Sequence, residues 1–383
     1  LGSVDLSKDE SIGGFYNGVE EMGFIWAMRP SLKNKSPYGG RMILFDVTKQ
    51  LRVMINVLPG KIHNLEALYC SKMISLLEFQ VTRIYMAPGV KRIEIKQNGL
   101  RGTLFIPSGK GPFPGVITMF GVVAGTLEFK AALFASNGIA AFALAFFGIE
   151  GLPDIYRSLD MAYFEKAVNF MLSHEDVNAP NGIGVVGSCK GAQIAYCMAD
   201  CLSGIRCVVT SNGAPFALHN VHSYREKVWS GLPFDPNLLN DASLLSSAGG
   251  CIMRSLTEVP RDENDPEFER SLFNFYKRLH VSYLVLASLD DNNVPSEYFA
   301  NLAERLFKSA GHPSYEILRY PGAGHLLDPP YAALCRVVNF RVLNTITDFG
   351  GSPLQHSRAQ KHSWKKILSF LHSKLNSVST CSS

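Results

Sequence analysis

Apolar and polar residues in this chain alternate in short runs, and between those runs the apolar spacing lengthens to that of a helix. After the turn Ala87-Pro88-Gly89, the stretches Arg92–Lys96 and Gly102–Ile106 alternate as the two arms of a hairpin do. The apolar run Gly115–Met119 predicts a buried strand, and Leu127–Ser136 a helix behind it. The same pairing recurs. Ile139–Leu144 reads as a strand, and Leu159–Ser173 as a helix with Tyr163, Ala167 and Phe170 on one face. Gly182–Val186 is a strand, Gly191–Leu202 a helix and Arg206–Thr210 a strand. A strand at Val281–Ala287, a helix at Ser296–Ser309, a strand at Tyr315–Tyr320 and a last helix near Gln360–Leu375 complete the series. Strands alternating with helices of this length predict an α/β fold: a mostly parallel sheet with helices on both faces.

The chain before that turn has a different texture. Residues 1–86 are rich in glycine and short apolar stretches, such as Gly13-Gly14-Phe15-Tyr16 and Gly23-Phe24-Ile25-Trp26. Alternation in Arg41–Val47 and Leu51–Val57 predicts short strands, so this part reads as a small β domain ahead of a larger one at 87–375. Leu58–Leu77 fits neither period and reads as an insertion. Residues 212–267 carry Pro215, Pro233 and Pro236 with little periodicity, and a cap or lid is expected there. The serine-rich end, 376–383, is expected to be disordered.

Composition narrows the function classes. Hydrophobic residues at 46% and charged residues at 18% suit a globular enzyme or binding protein. The net charge of +4 comes from scattered lysines and arginines, so no nucleic-acid footprint is present. A mild positive balance favours an anionic substrate. No apolar run reaches the ~18 residues that span a bilayer. None of the eight cysteines forms a CxxC pair, so neither a zinc knuckle nor a thioredoxin-like motif is supported and a reducing compartment is expected; no metal or bound cofactor is expected either. With no secretory leader legible, the cytoplasm is expected, and a peroxisome or mitochondrion is the alternative. Ser373-Lys374-Leu375 looks like a peroxisomal tripeptide, but such a signal is read at the C-terminus and this one lies eight residues before the end.

One motif carries chemistry. Gly187-Ser188-Cys189-Lys190-Gly191 follows a predicted strand and opens a predicted helix, the pattern of a nucleophile elbow with Cys189 at its centre. Such a turn lifts its central side chain above the sheet and sets the thiol at a helix N-terminus, which favours thiolate. A buried structural cysteine is the bland alternative, and Ser188 is a competing nucleophile one place off the pattern. The backbone N–H of Lys190 supplies half of an oxyanion hole. The other half is expected from the loop after Gly115–Met119, where Val122 is the candidate donor. An acid and then a histidine should follow in chain order. The strand Val281–Ala287 runs into Asp290-Asp291, of which Asp291 is preferred and Asp290 the alternative. The strand Tyr315–Tyr320 runs into Pro321-Gly322-Ala323-Gly324-His325, which makes His325 the candidate base.

These residues carry a resemblance to the family of acyl-CoA thioesterases and bile acid-CoA:amino acid N-acyltransferases. Ser11-Ile12-Gly13-Gly14-Phe15-Tyr16 and Met22-Gly23 resemble its N-terminal β-sandwich. Tyr85-Met86-Ala87-Pro88-Gly89-Val90, Tyr163-Phe164-Glu165-Lys166-Ala167-Val168-Asn169-Phe170 and Tyr320–Leu326 resemble its catalytic domain, as does Pro329-Pro330-Tyr331. The resemblance implies an α/β-hydrolase fold preceded by a small, N-terminally truncated β-sandwich. It makes Cys189 the nucleophile, Asp291 the acid and His325 the base. It implies an acyl-CoA substrate, with water or an amino acid such as glycine or taurine as acceptor. The chain departs from the family at Leu58–Leu77 and in Val122-Val123-Ala124, which stands in place of a more glycine-rich loop. Cysteine at the elbow favours amine acceptors, because an acyl-cysteine keeps its thioester reactivity. A dienelactone-hydrolase-like enzyme and a non-catalytic binding protein on the same scaffold are the other readings; the sandwich-like start argues against the first, and the ordered triad against the second.

Overall fold

A computed structural model of the chain describes residues 5–13, 16–29, 43–59, 74–232, 245–256, 265–340 and 345–376. The N-terminal region opens with a one-turn helix, α1 (Gly23–Trp26), which buries Ile25 and Trp26 and sets the Trp26 ring 5.4 Å from that of Tyr16. Two strands follow, β1 (Leu51–Val57) and β2 (Leu77–Arg83), paired antiparallel from Leu51 opposite Arg83 to Val57 opposite Leu77. The stretch expected as an insertion therefore connects the arms of one hairpin, with Leu77 already in the second arm; residues 60–73 lie outside the described ones. The strand expected over Arg41–Val47 is not formed in its described part. Asp46 accepts hydrogen bonds from the backbone N–H and the hydroxyl of Thr48, and this side-chain turn draws the chain out of extended geometry.

The central sheet begins with β3 (Lys91–Ile95) and β4 (Gly102–Ile106), which form the expected hairpin. Next come β5 (Gly115–Met119), α2 (Phe129–Ser136) and β6 (Ala140–Leu144). A short β7 (Ser158–Asp160) leads into α3 (Met161–Ser173), which the Asp160 side chain caps by accepting from the Ala162 N–H. Then follow β8 (Ile183–Ser188), α4 (Lys190–Cys201) and β9 (Ile205–Ser211). Two short strands, β10 (Val221–Tyr224) and β11 (Lys227–Trp229), join β7 in a small side sheet. The chain returns through α5 (Pro266–Ser271), β12 (Ser282–Ser288), α6 (Ser296–Ser309) and β13 (Tyr315–Tyr320). It ends with the hairpin β14 (Val337–Phe340) and β15 (Thr345–Asp348), and α7 (Pro353–Leu375).

Across the central sheet the order is β3-β4-β6-β5-β8-β9-β12-β13, antiparallel at the β3 and β4 edge and parallel from β6 onward. Strands β5, β6, β8 and β12 are buried along their whole length. Helices cover both faces, so these strands read as continuous apolar runs. One face packs Phe164, Ile194, Met198 and Tyr283 with α3 and α4, and the other packs Phe134, Ile367 and Leu371 with α2 and α7. Strand order reverses at β5, whose neighbours are β6 and β8. The carboxyl ends of β5 and β8 therefore flank a crevice, the place where an open α/β sheet binds its ligands.

Helix α7 starts seven residues earlier than its apolar period indicates. Its first buried positions are polar (His356, Ser357 and Gln360), so only the later turns show an apolar stripe. Ser373-Lys374-Leu375 forms the last turn of this helix, with Leu375 buried. No helix of the described residues is long and apolar enough to cross a membrane.

The N-terminal region packs on the larger body at several points. Arg83 donates to the carbonyls of Tyr331 (2.6 Å) and Pro330 (3.2 Å), Arg358 on α7 pairs with Glu20, and Val47 is buried in the same cluster as Phe105 and Phe129.

Candidate active site

The turn after β8 is tight enough to dictate its residues. Cys189 alone separates strand from helix and adopts φ 56° and ψ −123°, a conformation that ordinary side chains rarely hold. Its surroundings leave no room for a Cβ at the flanking glycines. One on Gly187 would lie 2.2 Å from the Gly191 carbonyl oxygen, and one on Gly191 would lie 2.5 Å from that of Met119. One on Gly121 would lie 2.7 Å from Cys189 Cβ and 2.8 Å from its Sγ, so the loop after β5 rests directly against the thiol. Ser188 is turned elsewhere: its hydroxyl accepts a 2.8 Å hydrogen bond from Lys130 on α2.

Past β12 the two aspartates part company. Asp290 is exposed, whereas Asp291 is buried. Asp291 Oδ1 accepts from the N–H groups of Asn293 (2.8 Å) and Val294 (3.1 Å). Its Oδ2 accepts from the Ser296 hydroxyl and from His325 Nδ1 at 2.7 Å. Every lone-pair direction of the carboxylate is thus engaged, and one of them fixes the imidazole ring.

His325 is held from all sides. Its N–H donates to Phe349 O (2.8 Å), its carbonyl accepts from Asn212 Nδ2 (2.7 Å), and its ring lies 5.4 Å from that of Phe349. His356 of α7 brackets it: Nδ1 accepts from the Gly324 N–H at 3.0 Å, and Nε2–H donates to Leu326 O at 3.1 Å. Burial pushes the His356 pKa down to about 4, so it stays neutral and keeps this tautomer. The Cys189 thiol lies within reach of the His325 side chain, whose other ring nitrogen, Nε2, lies 3.1 Å from the Asn293 amide. The Asn293 side-chain oxygen has no other partner among the described residues, so rotating the amide lets it accept from a protonated ring.

Burial alone would raise the Cys189 pKa. The charge and hydrogen bond of His325, together with the Lys190 backbone N–H at the start of α4, outweigh it and hold the thiol below its ordinary value. Burial would likewise lower the His325 pKa, but the Asp291 carboxylate and the Cys189 sulfur overturn this and raise it. Both shifts favour a thiolate–imidazolium pair. Iodoacetamide should therefore alkylate Cys189 faster than a free thiol at pH 6–7. In Asp291→Asn the ring loses the charge that keeps it protonated, so the alkylation profile should move to higher pH. A profile identical to that of a model thiol, unmoved by Asp291→Asn, contradicts the pair.

A cavity of about 240 Å³ opens at this point. Cys189, Val122 and Asn293 line it on the chemical side, and Phe147, Tyr156 and Phe299 give it an apolar wall. Residues from the segment expected as a cap contribute too, among them Leu218 and His219. The sequence candidates thus come together: Cys189, His325 and Asp291 in one hydrogen-bonded line, with Val122 and Lys190 on the same cavity. Asn212, Asn293, Ser296 and His356 escaped sequence reasoning. Asn293 and Ser296 lie within five positions of Asp291 and were open to notice. Asn212 and His356 come from distant elements and carry no local signal.

The strand order and the turn after β8 define an α/β-hydrolase-fold protein with a small N-terminal domain. Residues 159–377 match the family described as BAAT / Acyl-CoA thioester hydrolase C terminal, and residues 1–97 match its N-terminal region. Over 380 residues the chain is 36% identical to mouse bile acid-CoA:amino acid N-acyltransferase, covering 97% of this chain and 84% of that one. It is 33% identical to mouse acyl-coenzyme A thioesterase 2, mitochondrial, over 99% of this chain and 78% of that one. It is also 33% identical to mouse acyl-coenzyme A thioesterase 1, over 98% of this chain and 84% of that one. The chain belongs to the acyl-CoA thioesterase and bile acid-CoA:amino acid N-acyltransferase family. It is an enzyme of that family, a thioesterase or an N-acyltransferase.

Proposed function

We propose that this enzyme turns over acyl-CoA through an acyl-cysteine intermediate on Cys189. The observation that supports this most is the buried line Asp291–His325–Cys189 ending on an apolar cavity. In the first step the Cys189 thiolate attacks the thioester carbonyl. The oxygen that becomes negative is expected to accept from the N–H groups of Lys190 and Val122. The carbon–sulfur bond to CoA then breaks, and the His325 imidazolium supplies the proton that the CoA thiolate takes up. In the second step neutral His325 removes a proton from the incoming nucleophile as it attacks the acyl-Cys189 carbonyl. The carbon–sulfur bond to Cys189 then breaks and restores the thiolate beside the reprotonated His325; water gives the free acid, and an amine such as glycine or taurine gives the amide. Asp291 holds the ring in the tautomer that both steps need.

Amide formation is the branch that cysteine favours. The acylation step exchanges one thioester for another and keeps its energy, whereas an acyl-serine would be an ordinary ester, less reactive toward amines. Product analysis with a panel of acyl-CoAs, with and without glycine or taurine, tests the activity itself. Cys189→Ser tests the role of sulfur. At fixed glycine, its ratio of amide to free acid should fall below that of wild type. An equal ratio means that access of water and amine to the cavity, not the sulfur, sets the outcome. For location we propose a reducing compartment, the cytoplasm with a peroxisome or mitochondrion as the alternative, consistent with the six cysteines that remain free among the described residues.

A further inference from the structure

The cavity beside Cys189 holds a buried cation that the acyl-transfer steps above do not use. Only the backbone N–H of Lys190 serves the oxyanion. Its side chain runs into the cavity wall and is 7% exposed. The ammonium donates to Gln193 Oε1 at 2.8 Å and to the Leu218 carbonyl at 2.7 Å, and it faces the Tyr156 ring at 5.7 Å. An ammonium has three N–H donors, so these two acceptors leave one directed at neither.

Among the described residues no carboxylate pairs with it. The groups that act on its charge are its own burial and the sulfurs of Cys189 and Cys197. Burial draws its pKa down to about 7, and its charge helps keep the nearby His219 and His222 neutral. Buried charges are normally paired, because an unpaired one in an apolar surrounding is expensive. The Cys189 thiolate is not a lasting partner. His325 acts on the same sulfur, and once acylated the sulfur carries no charge. At that stage, when the second substrate enters, the cavity contains a basic group with two neutral acceptors and no anion, and an entering anion would hold it protonated.

We propose that the Lys190 ammonium, oriented by Gln193 and the Leu218 carbonyl, is the counter-ion for a carboxylate or sulfonate of the substrate within the cavity. This rests on the acyl-Cys189 reading. Two sources can supply that group: the anionic end of an amino-acid acceptor, or the far carboxylate of a dicarboxylic acyl chain. The acceptor is the better match, because it arrives at the stage when the cation has lost the neighbouring thiolate. An amino acid held by its acidic end presents its amine toward the adjacent acyl-cysteine, one residue away in the chain. A thioester of a plain fatty acid brings no such group.

The test compares partners matched in size that differ in this charge, with acceptor rates referred to the concentration of free amine. In the acceptor arm, glycine is compared with glycinamide at fixed acyl-CoA. In the acyl arm, succinyl-CoA is compared with butyryl-CoA. Each comparison is made for wild type and for Lys190→Met, which keeps the length of the side chain and removes its charge. Wild type should prefer the charged member in one arm, and the arm in which it does so identifies the source. Lys190→Met should reduce that preference about tenfold or more, as expected for a charge-assisted hydrogen bond. The readout is the ratio between paired substrates, so a general loss of turnover in the variant does not imitate the effect. If wild type shows no preference for the charged member in either arm, the inference is overturned without reference to the variant. A preference that survives in Lys190→Met overturns it equally. Absence of any acyl adduct on Cys189 with either acyl-CoA would instead remove the acyl-cysteine reading beneath it.

Discussion

Cys189→Ala should abolish acyl-CoA turnover, and intact-mass analysis of wild type mixed with acyl-CoA should find a single acyl adduct that peptide mapping places on Cys189. Removing the nucleophile from a serine-protease triad costs ~10⁶ in kcat, and a loss of at least ~10⁴ is expected here. The geometry makes the expectation specific to one residue. Cys189 is the residue on the elbow with a strained backbone, its sulfur lies against the loop at Gly121, and His325 draws its thiol pKa down. Ser188 is its sequence neighbour and carries a chemically competent hydroxyl. Lys130 holds that hydroxyl at 2.8 Å, and Ser188 does not line the cavity. Ser188→Ala should therefore keep most of the activity and still form the adduct. An adduct mapped to Ser188, or full turnover by Cys189→Ala, would falsify the assignment.

Asp291→Asn should be nearly as damaging. Loss of the orienting acid costs ~10⁴ in a serine-protease triad, where the ring is left in the wrong tautomer. Here the carboxylate has a second task. It accepts from the Asn293 and Val294 N–H groups and from Ser296, so it also shapes the turn that carries Asn293 to the ring. An amide at this position points an N–H₂ group at partners that are themselves donors, which loosens the turn as well as the ring. The variant should lose turnover by about 10³–10⁴ and should unfold at a somewhat lower temperature. Asp290→Asn is the control, since that side chain is exposed. A mild Asp291→Asn beside a crippled Asp290→Asn would reverse the assignment.

Much of the scaffold was open to reading because it is written in local periods. Strands buried on both faces must be apolar throughout, and helices between them must present one apolar stripe, so β5, α3, β8, α4, β12 and α6 fell within a residue or two of where the pattern put them. The reading failed where the deciding interaction was polar or absent. Residues 43–47 alternate like a strand, but Asp46 bonds Thr48 and turns the chain. The first turns of α7 bury His356, Ser357 and Gln360, so an apolar period could not show where that helix begins. Strand β2 is mostly exposed in a two-stranded ribbon and has little core to shape its sequence.

The site divides in the same way. Sequence alone placed Cys189 on an elbow, because the Gly-x-Cys-x-Gly spacing between strand and helix is local; of its two glycines, Gly187 answers a contact one turn away, with Gly191, and Gly191 answers Met119 on β5. It also determined the order of acid and base, since each follows its own strand directly. It narrowed the acid to two adjacent residues and went no further. Only the tertiary structure separates the two, since Asp291 is buried against His325, 34 positions later, and Asp290 is exposed. Only the tertiary structure brought Asn212 and His356 to the two sides of the His325 loop, from the end of β9 and the first turn of α7. The same holds for the Lys190 side chain, whose partners Gln193 and Leu218 lie 3 and 28 positions away. A pattern in sequence records what a residue's neighbours in the chain require. A charge buried in a cavity is answered by groups that the fold gathers from elsewhere, and those groups become visible only when the sheet and its loops are in place.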